Sequence, residues 1–354
     1  MTATAPPDAD RLQAFVDRFA ADQAATMHAA TIVVGDRLGL YRALGELGPC
    51  IPSQLAAVSG CHPRLVQEWL GAQVASAYCE YDSASGHYWL TPEQRACLAD
   101  PANPIHLVGG AIAASSTHHD VDLVVRAFAG DGGIGWDEHH SDLHVGTQRF
   151  FAPVYRGNLV QRWIPALDGV HDRLTAGGKV ADVGCGHGAA LILLAEAYPA
   201  STFAGFDYHP ASIDAARKAA AEAGVSDRVT FEVAGADDFA GDGYDLICVF
   251  NALHEWGDPV RGARHIREAL ASDGTWMFTE PRTDDELIES VRARTFYSVS
   301  TFVCTPSALS QEGKLALGAQ AGEAALARVA EAAGYTRFWR ATETPAFMVL
   351  AARP

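Results

Sequence analysis

The chain has 354 residues, 49% of them hydrophobic and 19% charged. This length exceeds what one ordinary core fills and predicts two domains, and the composition excludes a disordered chain. The formal net charge is −17 with only three lysines, Lys179, Lys218 and Lys314; so acidic a chain argues against nucleic-acid partners, whose binding draws on neutralised phosphates.

The opening MTATAPPDADR has no basic stretch followed by an apolar run, so no signal peptide is expected. No apolar run approaches the roughly 18–20 residues of a membrane helix, which predicts a soluble, cytoplasmic protein without a membrane partner. From about residue 10 to 47, apolar positions fall at helical spacing, as in Leu12, Phe15, Val16 and Phe19 and again in Leu38, Leu40, Tyr41 and Leu44. Pro52-Ser53 opens a short helix over 54–59, Gly60 to Pro63 turns the chain, and 64–76 reads as the next helix. Tyr78 to Leu90 alternates bulky and polar residues about a turn at 83–86, a hairpin signal. Helix, turn, helix, hairpin is the order of a winged helix.

A DNA reader needs donors. Residues 1–100 carry six arginines and no lysine against eleven acids, and the would-be recognition helix offers Arg64 alone. A dimerisation and substrate-lid role fits residues 10–100 better. Residues 101–170 are less regular, with Gly109-Gly110 and the 130–135 run interrupting apolar segments and a helical stretch expected over 150–167. This stretch is assigned as a linker contributing to the substrate pocket.

From Lys179 the pattern changes. Strands are expected at 180–183, 202–206, 229–233, 244–250 and 275–279, with helices at 189–198 and 213–223 between the first three. Such alternation specifies a parallel sheet covered by helices on both faces. Residues 338–351 read as two strands with no intervening helix, an antiparallel pair at one sheet edge.

Asp182-Val183-Gly184-Cys185-Gly186-His187-Gly188 follows the first of these strands. Glycines there let backbone approach a ligand, but the spacing is GxGxG, not the dinucleotide fingerprint. About twenty residues on, the next strand ends in Phe206-Asp207-Tyr208, where a carboxylate can bind a ribose diol. A nicotinamide cofactor would use the same two features. Asp182, Asp207 and Asp237 near the strand ends suit a sulfonium better than a diphosphate.

VADVGCGHG, FDYHP, AGADDF and YDLICVFNALHEW resemble the successive motifs of class I S-adenosylmethionine-dependent methyltransferases, over about residues 160–354. The resemblance implies a seven-stranded, Rossmann-like α/β sheet, parallel with an antiparallel C-terminal hairpin, over 171–354, and S-adenosylmethionine as cofactor. It places Gly184 and Gly186 beside the methionine part, Asp207 on the ribose, and Asp237 or Asp238 on the adenine amine, although Gly235 stands where many relatives carry that acid; Asp182 is counted among the cofactor-binding residues. Tyr208 would cover an adenine face, with core packing as its alternative, and Asn251 belongs to the fourth motif. The winged-helix preface is similar to that of small-molecule O-methyltransferases, which implies a homodimer.

Methyl transfer is an in-line displacement in which the enzyme mainly aligns the nucleophile. A hydroxyl acceptor also needs a base, a role suited to histidine. Leu253-His254-Glu255-Trp256 resembles the segment that carries the base in plant-type O-methyltransferases, which makes His254 the candidate, and Glu280 resembles the carboxylate that orients it. Glu255 replaces the usual Asp, and Gln320 lies near the position of a third carboxylate. The alternative for His254 is a helix cap.

Five of the fourteen histidines, His118, His119, His139, His140 and His144, cluster in sequence, with His140 and His144 expected on one helix face. A substrate-lining or solvated loop is preferred to a metal site, since spacing alone does not define ligand geometry. Residues 282–313, with Phe296, Tyr297, Phe302 and Cys304, are expected as a lid; with Trp136, Phe150, Phe151 and Tyr155 they would wall an apolar pocket. No CxxC pair occurs, so structural zinc has no support and the seven cysteines read as reduced apolar fillers. The leading expectation is methyl transfer to a small-molecule hydroxyl in secondary metabolism. The alternatives are nitrogen or carbon methylation by positioning or a metal, and a ligand-sensing transcription regulator with a degenerate methyltransferase domain.

Overall fold

A computed structural model describes residues 7–283 and 289–354. The chain divides into two compact units: one holds residues up to 118 and again 142–153, the other 119–141 and 154–354. The segment 101–170 is therefore shared between the units.

The first unit is mainly helical. Its helices Ala9–Arg37, Leu40–Leu47, Pro52–Ser59 and Pro63–Ala75 precede a hairpin of β1 (Glu80–Asp82) and β2 (His87–Trp89). Local chemistry sets the boundaries. Gly39 takes a left-handed conformation between the first two helices, and Pro52 and Pro63 occupy first helical turns, where the missing N–H is not needed. Asp82 accepts from the amides of Ala84 and Ser85 at 3.1 Å and closes the hairpin turn. Cys50 forms an isolated antiparallel bridge with Tyr88 of β2. Leu40, Tyr41, Leu44, Leu55, Val66 and Leu70 form the core, each large side chain contributing about 1.5–3 kcal/mol by its burial. Helix Ala9–Arg37 leaves Phe15, Phe19 and Met27 exposed at 65%, 63% and 72%.

The second unit is built on a seven-stranded sheet: β3 (Lys179–Val183), β4 (Thr202–Asp207), β5 (Val229–Val233), β6 (Tyr244–Phe250), β7 (Leu270–Pro281), β8 (Arg337–Glu343) and β9 (Phe347–Arg353), in the order β5-β4-β3-β6-β7-β9-β8. β3 through β7 pair in parallel, and β9 runs against both β7 and β8. This is the expected sheet with its C-terminal antiparallel hairpin. Helices Ala189–Ala197, Pro210–Glu222, Pro259–Ala269 and Glu323–Ala332 pack against it. Strands covered on both faces read as continuous apolar runs, and Leu246 to Phe250 of β6 is buried throughout. β7 starts five residues before its predicted start because Leu270 pairs with Tyr244 ahead of a bulge, after which Thr275 pairs with Leu246.

Two local expectations change. The helix expected over 150–167 runs from Ser141 to Asn158 and continues as a wide turn over Leu159–Trp163. His140 precedes that helix, so it shares no helix face with His144. The 282–313 stretch is largely helical, with Val291–Val299, a wide turn at Ser300–Cys304 and Thr305–Ser310; residues 284–288 of it lie outside the described residues. Among the described residues no helix is long and apolar enough to cross a membrane.

Candidate active site

The parallel strands all point their carboxyl ends at one edge of the sheet, where open α/β sheets bind ligands. β3 delivers the glycine turn. Gly184, Gly186 and Gly188 have φ of +77°, +53° and +75°, a conformation that costs an ordinary L-residue about 1–2 kcal/mol. The amides of Gly184 and Cys185 both donate to the Phe206 carbonyl, at 2.8 and 3.0 Å, which ties the turn to β4. A Cβ on Gly184 would lie 2.9 Å from the Ala252 Cβ, so the turn seats directly against the tip of β6. A Cβ on Gly186 would meet nothing within 4 Å, so that glycine borders open space.

The acids gather at this turn. Asp207, at the end of β4, accepts from the amides of Gly186 and His209, each at 2.9 Å. Burial raises its pKa against the pull of those two bonds. Asp182 is 1% exposed, and its Oδ1 is buried with no hydrogen-bond partner; burial, with the neighbouring Asp207 charge, pushes its pKa well up. The Asp207 charge opposes ionisation of the buried Asp182, and a cation beside the pair would favour the ionised form. Tyr208 leaves its ring about half exposed, while its hydroxyl engages the Ser307 side chain and the Trp136 backbone.

The remaining cofactor candidates divide. Asn251 sits just past β6 with φ +53°. Its backbone amide donates to the Thr279 carbonyl and its Nδ2 to the Thr279 hydroxyl, both at 2.9 Å, leaving Oδ1 buried and unpartnered. Asp237 and Asp238 follow β5 but are engaged elsewhere. Asp237 pairs with Arg261 Nε at 2.7 Å, and Asp238 accepts from the Gly235 amide at 2.7 Å, closing its own loop.

His254 lies in the short turn Leu253–Glu255 and is 3% exposed. Its Nδ1 donates to Glu280 Oε2 at 2.5 Å, from the end of β7. That bond fixes the tautomer and leaves Nε2 as the free base, 3.8 Å from Glu255 Oε1. Burial pulls the imidazole pKa down, but the Glu280 charge and hydrogen bond, with Glu255 behind them, carry it above its ordinary 6.5. Burial also raises the Glu255 carboxyl, which is hydrogen-bonded to the Cys304 thiol. Gln320 belongs to the segment behind the base: two residues earlier, the Gly318 amide donates to the His254 carbonyl at 3.2 Å.

The structure thus brings Asp182, Gly184, Gly186, Asp207, Asn251, His254 and Glu280 to one strand edge. Thr279 and Ser307 were not expected there. Of the clustered histidines, His139 is buried on Asp120 and His119 stacks on His140 at 4.0 Å, whereas His144 belongs to the other unit. Trp136 and Tyr155 lie in the unit that holds the site; Phe150 and Phe151 lie in the other.

Residues 174–332 match the family model described as a methyltransferase domain, and residues 26–100 the Rv2258c-like winged HTH domain. No curated protein matches the sequence. Among solved structures, the chain is similar to the mitomycin 7-O-methyltransferase at 18% identity, with 98% of this chain and 100% of that one covered and a TM-score of 0.68. It is also similar to human N-acetylserotonin methyltransferase in complex with S-adenosylmethionine, at 16% identity, 100% and 99% coverage and a TM-score of 0.69. An O-methyltransferase family protein from Burkholderia thailandensis matches at 15% identity, 99% and 98% coverage and a TM-score of 0.68. At these identities the likeness establishes the fold.

Proposed function

Since the chain carries a methyltransferase domain behind a winged-helix domain, we propose that it transfers the methyl group of S-adenosylmethionine to a hydroxyl of a small-molecule acceptor in secondary metabolism. The observation that carries the choice of oxygen is the buried His254–Glu280 pair, 2.5 Å apart and beside the cofactor edge. Methylation by positioning alone needs no such base.

The residues fit the cofactor. Burial holds back the ionisation of Asp182 and Asp207, and a ligand whose sulfonium and ammonium are cationic would favour their charged forms. Asp207, oriented by two backbone amides, meets the ribose; Gly186 leaves room for the ligand; the unpartnered Asn251 Oδ1 accepts from it. Asp237 shares its charge with Arg261 through Oδ2, which makes it the weaker contact for the adenine amine. When bound, the cofactor supplies an electrophilic methyl group on a good leaving group. His254 Nε2 takes the acceptor's hydroxyl proton, and Glu280 holds the resulting imidazolium.

Small-molecule substrates suit the first unit as well. Arg64, the basic residue of helix Pro63–Ala75, is paired with Glu68 on the same helix, so that helix presents no free cation to a phosphate. The exposed Phe15, Phe19 and Met27 of helix Ala9–Arg37 are proposed to pair with a second copy of the chain.

The test is His254→Ala. Titration with S-adenosylhomocysteine is expected to give unchanged affinity, while turnover on a panel of phenolic acceptors falls by about 10²–10⁴-fold. Undiminished turnover removes His254 as the base.

A further inference from the structure

The second unit contains another imidazole held by a carboxylate. His139 Nδ1 lies 2.9 Å from Asp120 Oδ2, with both side chains buried, 1% and 7% exposed. The Asp120 carboxylate also accepts from the His140 amide at 3.3 Å, which fixes its orientation. His139 Nε2 is buried and has no hydrogen-bond partner. Most buried polar side-chain atoms find a partner, so the unpartnered Nε2 calls for an explanation.

The placement of His139 joins it to the reaction site. The loop before it is fastened to the segment that carries Cys304 and Ser307: the buried Ile134 donates to the Pro306 carbonyl at 3.0 Å, and a Cβ on Gly133 would lie 2.9 Å from the Ser310 Cα. The Trp136 backbone engages the Tyr208 hydroxyl at the tip of β4. His139 interacts electrostatically with Glu255, the carboxylate that stands 3.8 Å from His254 Nε2. Each imidazole thus has its Nδ1 on its own acid, and the loop that carries His139 packs on the segment that supplies Cys304 beside Glu255.

We propose that His139, oriented by Asp120, is a second acceptor-binding residue, whose Nε2 takes a hydrogen bond from a second hydroxyl of the substrate while His254 engages the hydroxyl to be methylated. The proposal rests on the reading of the site as a hydroxyl methyltransferase, and it names the substrate class as a diol, most simply a dihydroxylated aromatic. Donation of Nδ1–H to a carboxylate makes Nε2 an acceptor, so its partner must bring a proton. His139 positions the substrate and moves no proton in the reaction.

The experiment uses the full chain loaded with S-adenosylhomocysteine, titrated with phenol, catechol and resorcinol. One of the two diols is expected to bind roughly tenfold more tightly than phenol, the value of one hydrogen bond to a buried group. His139→Phe is expected to erase that preference, so that neither diol binds more tightly than phenol to the same variant, while retained S-adenosylhomocysteine binding shows that the variant is folded. A readout without substitution accompanies it: the ¹⁵N resonance of His139 Nε2 moves with the tighter diol and stays with phenol. Equal binding of the three probes, no diol binding, or a still resonance overturns the proposal. Failure to bind S-adenosylhomocysteine at all overturns the cofactor reading instead.

Discussion

Glu280→Gln removes one charge from the buried pair and keeps its shape. In the native chain, Glu280 (1% exposed) and His254 (3% exposed) meet at 2.5 Å. Breaking a buried pair from one side costs about 3–5 kcal/mol, because the remaining charge is left without its partner. That cost applies while His254 is an imidazolium. The native imidazole has a pKa above 6.5 because of Glu280, so its charged form stabilises the fold fully below about 6.5, and this contribution fades as pH rises through the folded value. Without Glu280 the largest influence left is burial, which lowers the pKa. The stability gap between native and variant chains is therefore widest below pH 6.5 and narrows with rising pH. Urea unfolding at several pH values measures the gap, and the His254 ¹⁵N resonances report its midpoint. A midpoint that stays above 6.5 in the variant, or a gap independent of pH, refutes the pairing argument.

Gly184→Ala places a Cβ 2.9 Å from the Ala252 Cβ at φ +77°; a loss of about 1–3 kcal/mol in unfolding free energy is expected, with weaker S-adenosylhomocysteine binding in calorimetry. Phe15→Asp combined with Phe19→Asp puts charge on the exposed face of helix Ala9–Arg37, and sedimentation is expected to shift from dimer to monomer with S-adenosylhomocysteine affinity retained.

The sheet was legible because buried parallel strands leave short apolar runs in sequence, and the glycine turn and Asp207 sit where those runs stop. The His254–Glu280 pair was legible only through the family likeness, since the two residues are 26 apart and meet by the adjacency of β6 and β7. The Asp120–His139 pair was not legible. Both residues lie in irregular backbone, and a carboxylate 19 positions away gives no periodic signal. The same holds for Cys304 beside Glu255, whose approach depends on the wide turn at Ser300–Cys304. Asp237 and Asp238 show the converse: the sequence displays both acids two and three residues past Gly235, but Arg261 and the Gly235 amide engage them.

The chain enters the second unit at residue 119, leaves it at 142 and returns at 154. No single cut therefore separates two self-sufficient pieces. A fragment beginning at residue 171 would lack Ile134, which is fully enclosed and bonded to the Pro306 carbonyl, and with it the loop that closes over Tyr208. Gene fusions or domain exchanges that treat the C-terminal half as portable would inherit an open seam; transplanting 119–354 keeps Ile134 with its partner but takes residues 142–153 away from the first unit.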